Sequence, residues 1–149
     1  RMAEWSAVRV RNAEAISEAL APFSSEKGAV RVPTVAGTKA GSNQETRHAY
    51  YKFYAYARPE NLASGWSRDR IVDEIVAKGV PCYQGSCSEV YLEKAFDNTG
   101  WRPAEPLPVA RELGETSLMF LVHPTLTQSD LDIAARAITQ VFQQAGRTV

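Results

Sequence analysis

Residues 48 to 57 read His-Ala-Tyr-Tyr-Lys-Phe-Tyr-Ala-Tyr-Ala. Aromatic residues at this density favour the pleated, half-buried surface of a sheet. In an extended strand over 48–57, Tyr50, Lys52, Tyr54 and Tyr56 share one face, and Ala49, Tyr51, Phe53 and Ala55 share the other. One strand cannot bury a face by itself, so the rest of the chain must supply the layers that cover it.

Those layers are legible on both sides. Trp5, Val8, Ile16 and Leu20 recur at helical spacing and predict a helix over 1–21, stopped by Pro22. No Ser, Thr, Asp or Asn precedes that helix to cap it, and the first residue is not Met. We therefore expect the tail of a longer helix, and a chain cut from a longer protein. Ser67 caps a second helix over 67–78, with Asp69 in its first turn, Ile71, Val72, Ile75 and Val76 as its apolar stripe, and Gly79 ready to end it. A short strand over 80–83 follows. Residues 116–122 are apolar on both faces and predict a buried strand. Thr127 and Asp130 approximate a capping box for a last helix over 127–145. Its core side is Leu131, Ala134, Ala135, Ile138, Val141 and Phe142, and Gly146 ends it.

The connections are less regular. Over 23–46, Val30, Val32 and Val35 suit a short edge strand, and 38–46 reads as a loop. Helical turns are expected at 90–96 and 109–113, with Trp101, Pro103, Pro106 and Pro108 interrupting between them. The sum is an α+β domain, a small and mostly antiparallel sheet packed against helices. The helix between strands 48–57 and 80–83 leaves parallel pairing of those two open.

Composition removes several function classes. The chain has 149 residues, enough for one domain, and 17 basic residues balance 17 acidic ones. A nucleic-acid groove draws on a basic surplus, which is missing, so stacking of bases on the Tyr50–Tyr56 run is disfavoured. The longest apolar stretch, 117–122, is too short to span a bilayer, and residues 1–20 alternate charged and apolar residues without the apolar run of a secretory signal. Cys82 and Cys87 make neither a disulfide framework nor, with His48 and His123 far away in sequence, a zinc site. A cytoplasmic protein with two ordinary thiols is expected.

No phosphate-loop motif is present. Gly85-Ser86-Cys87-Ser88 is a small polar cluster able to present N–H groups to an anion, and equally a plain turn. Cys87 has no cationic neighbour in sequence to ionise it, and His48 and His123 read as hydrogen-bonded residues at strand ends. Composition and spacing alone give no reaction.

Four segments, in order, resemble the DegT/DnrJ/EryC1/StrS aminotransferase family. They are Arg9-Val-Arg-Asn-Ala13; His48-Ala-Tyr-Tyr-Lys-Phe-Tyr54; Arg68-Asp-Arg70 through Lys78-Gly-Val-Pro81; and Pro108-Val-Ala-Arg-Glu-Leu113 with Ser117-Leu118 and His123-Pro-Thr-Leu-Thr127. The resemblance covers nearly the whole chain and implies the C-terminal small domain, over 1–149, of a fold-type-I enzyme. It implies pyridoxal phosphate as cofactor, an amino-acid donor such as glutamate, and a nucleotide-linked keto-sugar acceptor, in amino-sugar or surface-polysaccharide biosynthesis. It implies a homodimer with no nucleic-acid or membrane partner. The family's cofactor lysine lies upstream of the matched region. Lys27, Lys39, Lys52, Lys78 and Lys94 do not sit in its motif, so no catalytic, cofactor-binding or metal-binding residue is assigned here and the chain alone is not expected to be catalytic. Separation from the rest of such an enzyme is expected to expose an apolar patch, with Trp5 the candidate.

The resemblance also places the loop 83–91 at the substrate, with Tyr83, Ser86, Ser88 and Tyr91 as candidate contacts. Tyr91 falls where the family often carries a His. A phenol with an ordinary pKa of about 10 can donate a hydrogen bond there but cannot shuttle protons as His does. Two other readings stay open: a stand-alone ligand-binding domain and a dimerisation domain.

Overall fold

A computed structural model describes residues 2–34, 48–85 and 87–147. Val35 and the expected loop 38–46 lie outside the described residues.

Strand β4, Ser117–Phe120, is the interior strand of the sheet, and all four of its residues are buried. A strand apolar on both faces gains most from an interior position. It pairs antiparallel with β2, Phe53–Ala57, on one side and with β3, Cys82–Tyr83, on the other. Strand β1, Val30–Arg31, completes the order β1-β2-β4-β3 by pairing antiparallel with β2. The parallel pairing left open for 48–57 and 80–83 does not form, because β4 inserts between them.

Strand β2 starts at Phe53, later than the aromatic run. The Tyr50 N–H donates to His48 Nδ1 at 2.9 Å, and Tyr50 takes a φ of +44°, which closes a turn. The Tyr50 ring then stacks 6.2 Å from Phe53. The first aromatic residues thus pack on one another instead of entering the ladder.

Register divides the sheet into two faces. Phe53 lies opposite Phe120, Ala55 opposite Leu118, and Cys82 opposite Phe120. All of these belong to the buried core, together with residues of three helices: α1, Met2–Leu20; α2, Arg68–Ala77; and α4, Gln128–Ala145. The other face carries the pairs Tyr54–Met119, Tyr56–Ser117, Arg31–Tyr56 and Tyr83–Met119. Helix α3, Pro108–Thr116, runs directly into β4. It is longer than the single turn expected over 109–113, because Pro108 occupies its first turn, where a missing N–H costs nothing.

The helix ends follow their sequence signals. The Ser67 Oγ accepts from the Arg70 N–H at 3.1 Å. Thr127 and Asp130 form a complete capping box. Helix α1 departs from its simple periodicity. It buries Asn12, Ala13, Ile16 and Leu20, while Trp5 stays half exposed. Asn12 is tolerated in the core because its Nδ2–H donates to the His123 carbonyl at 2.9 Å and its Oδ1 accepts from Arg11.

Burial pushes the Cys82 thiol up to about 12, from an ordinary value of 9.0. Cys87 is exposed. Iodoacetamide at pH 8 should therefore label Cys87 in the folded protein and spare Cys82, whose thiolate fraction is about a thousandfold below that of an unshifted thiol. Peptide mass mapping reads this directly, and equal labelling would contradict it. The sign for stability follows from the raised value. The unfolded thiol ionises first, so the contribution of Cys82 is complete below pH 9 and is lost as pH rises towards 12.

Candidate functional site

The loop after β3 leads onto the second face of the sheet, and each step has a fixed partner. The Gln84 Nε2–H donates to Asp69 Oδ1 at 3.0 Å. The Gln84 carbonyl accepts a short hydrogen bond from the Ser117 hydroxyl. Gly85 follows with a φ of +93°. A Cβ there would sit 2.7 Å from Ser117 Oγ and 3.2 Å from a Tyr54 ring carbon, so both the backbone and the space require glycine. Ser86 lies outside the described residues. The Cys87 thiol donates to Glu93 Oε1 at 3.5 Å. Ser88 leans over Gly114 of α3, and a Cβ on Gly114 would collide with the Ser88 Oγ.

Tyr91 is 8% exposed. Its O–H donates to Glu89 Oε1 at 2.6 Å and accepts from the Leu107 N–H at 2.9 Å. The Glu89 hydrogen bond and then desolvation hold its pKa above the usual phenol value, so it stays a donor. Its carbonyl accepts from Arg102 Nε at 2.9 Å, and Arg102 also meets Asp97 at 2.6 Å. Tyr91 therefore joins the loop to the start of α3 from inside the chain. Tyr83 is exposed and Ser88 is half-buried.

Gln84, Gly85, Ser88, Glu89, Lys94 and Gly114 line an open groove of about 620 Å³. The site is thus a trough that mixes charged groups of both signs with apolar surface such as Leu92, between the loop, the turn at 92–94 and Gly114 of α3. It can offer hydroxyl, carboxylate and ammonium groups to a polar ligand. Of the four residues singled out from sequence, Ser88 lines this trough, Tyr83 on β3 lines a separate groove with Val76, Gly79 and Pro81, Tyr91 is bonded within the chain, and Ser86 lies outside the described residues.

Sequence reasoning missed three residues that shape the trough. Arg68 opens α2, with a side chain only 13% exposed, and reaches across to the loop and the α3–β4 junction. Ser117 and Gly114 supply the seats for Gln84 and Ser88. A glycine inside a helix weakens it, so Gly114 was the available signal of a close approach.

No protein-family model and no curated protein matches the chain. Solved structures do. An aminotransferase from Psychrobacter cryohalolentis is 53% identical with a TM-score of 0.86, over 96% of this chain and 35% of that one. A DegT DnrJ EryC1 StrS aminotransferase from Brucella abortus matches at 22% identity and a TM-score of 0.67, over 93% of this chain and 31% of that one. The chain is similar in sequence to part of an aminotransferase and shares the fold of part of a DegT DnrJ EryC1 StrS aminotransferase. A candidate sugar aminotransferase from Streptococcus pneumoniae in its PLP form shares the fold at 14% identity and a TM-score of 0.63, covering 94% of this chain and 32% of that one. The chain thus spans about a third of these aminotransferases.

Lys39 lies outside the described residues. Lys27, Lys78 and Lys94 are exposed. Lys52 is half-buried, with its ammonium 5.6 Å from the Tyr51 ring. Among the described residues, no cluster of His, Cys, Asp and Glu could hold a metal ion, and no helix is long and apolar enough to cross a membrane.

Proposed function

We propose that this chain is the C-terminal small domain of a pyridoxal-phosphate-dependent aminotransferase that aminates a nucleotide-linked keto-sugar, and that it is not catalytic alone. The carrying observation is the 53% identity to the Psychrobacter cryohalolentis aminotransferase over 96% of this chain. The cofactor lysine is supplied by the remainder of the enzyme, which takes its amino group from an amino acid, works as a homodimer in the cytoplasm and serves amino-sugar or polysaccharide biosynthesis. The chain's own contribution is the trough. Tyr83 and Ser88 meet the sugar nucleotide from the loop, whose geometry Tyr91 holds.

The test is an assay of the intact enzyme with glutamate and a set of nucleotide-linked keto-sugars. Amino-sugar should appear in step with 2-oxoglutarate, as read by mass spectrometry. Turnover of amino acids with simple keto acids, but with no keto-sugar, would contradict the substrate class. Tyr91→Phe separates bracing from direct contact. The Leu107 N–H and the Glu89 carboxylate lose their shared partner, so the unfolding midpoint should fall. Keto-sugar kcat/KM should stay within about threefold, because the lost bond lies inside the chain. A tenfold kinetic loss at unchanged stability would instead put the Tyr91 hydroxyl on the substrate.

A further inference from the structure

Arg68 holds the trough together from beneath. Its Nη1 donates to the Gly114 carbonyl at 2.9 Å and the Ser117 carbonyl at 3.1 Å, with a longer reach of 3.5 Å to the Gln84 carbonyl. Its Nε meets Asp69 Oδ1 at 2.7 Å, and the same oxygen receives the Gln84 amide. One guanidinium therefore ties the N-terminus of α2 to the α3–β4 junction and to the loop after β3. The Arg68 side chain is 13% exposed, and its bonds to Gly114 and Ser117 are partly buried while those to Asp69 and Gln84 face solvent. The acceptors are mainly backbone carbonyls, which a surface ion pair would not need. The planar fork of Arg suits several acceptors in fixed directions, and Lys cannot reproduce it.

What Arg68 fixes is the wall of the trough. Gln84, Gly85 and Gly114 all line it. A Cβ added at Gly85 would meet Ser117 and Tyr54, and one added at Gly114 would meet Ser88, so both glycines mark a close approach. We propose that Arg68 is a positioning residue that holds Gln84 against the α3–β4 junction and so fixes the shape of the acceptor-binding trough. The proposal rests on the substrate reading of this loop given above.

The experiment compares Arg68→Met and Arg68→Lys with the unmodified intact enzyme, by hydrogen exchange and by steady-state kinetics in both substrates. In Arg68→Met, amides over 84–88 should exchange about tenfold faster, while those of α4 keep their protection. The KM for the keto-sugar should rise about tenfold, with the KM for the amino donor unchanged. Arg68→Lys keeps the charge and some of the bonds, so it should fall between the two and covers the case in which Arg68→Met does not fold. Unchanged exchange at 84–88 in either variant overturns the proposal. So does an equal rise in both KM values with α4 unprotected, which marks general loss of the fold. Faster exchange at 84–88 with both KM values unchanged supports Arg68 as the loop's anchor and overturns the substrate reading of the loop instead.

Discussion

Phe120→Ala should destabilise the domain by about 3–5 kcal/mol, the cost of emptying a large, fully buried aromatic site. Phe120 is 1% exposed on the interior strand. It faces Phe53 at 6.4 Å between ring centroids on one side and pairs with Cys82 on the other. The void would therefore open where β2, β3 and the helical layer meet, and no single neighbour could fill it. Denaturant unfolding of the 149-residue chain reads this directly. A loss below about 1 kcal/mol would mean that the site collapses or that the sheet order is wrong.

Gly85→Ala is the second large effect, and it acts on the site as well as the fold. The φ of +93° alone costs a residue with a Cβ about 1–3 kcal/mol. The new Cβ would also displace the Ser117 hydroxyl from the Gln84 carbonyl. Gly79 supplies the control. Its φ is +82°, but a Cβ there meets nothing within 4 Å, so Gly79→Ala carries the backbone cost alone. Gly85→Ala should be the more damaging of the two, and it should weaken keto-sugar binding where Gly79→Ala does not. Equal stability losses would show that Ser117 and Tyr54 give way freely.

The elements that carry their own caps were the legible part of this fold. Ser67 and Thr127 fixed where α2 and α4 begin, since a side chain that satisfies an orphan N–H is a local signal. The doubly apolar character of β4 announced its burial in the same way. The order of the strands was not legible. That β4 separates β2 from β3 is decided by which strand gains most from two neighbours, a comparison across the whole chain. The late start of β2 was hidden for a similar reason. Tyr50 suits a strand, yet its N–H finds His48 first. At the site, the resemblance pointed to the loop but not to its supports. Arg68 looks like any exposed first-turn residue in sequence, and its carbonyl partners lie 46 and 49 positions away. The hydrogen bond between Tyr91 and the Leu107 N–H joins residues 16 positions apart and has no local signal in the sequence.

The central claim is that this chain completes an aminotransferase whose cofactor is held elsewhere in the same protein. Borohydride reduction of the intact enzyme with bound pyridoxal phosphate, followed by peptide mapping, tests it most directly. The account predicts one stoichiometric phosphopyridoxyl-lysine, in a peptide outside the 149 residues described by this sequence. A stoichiometric adduct on Lys27, Lys39, Lys52, Lys78 or Lys94, or a protein that binds no cofactor, would contradict it.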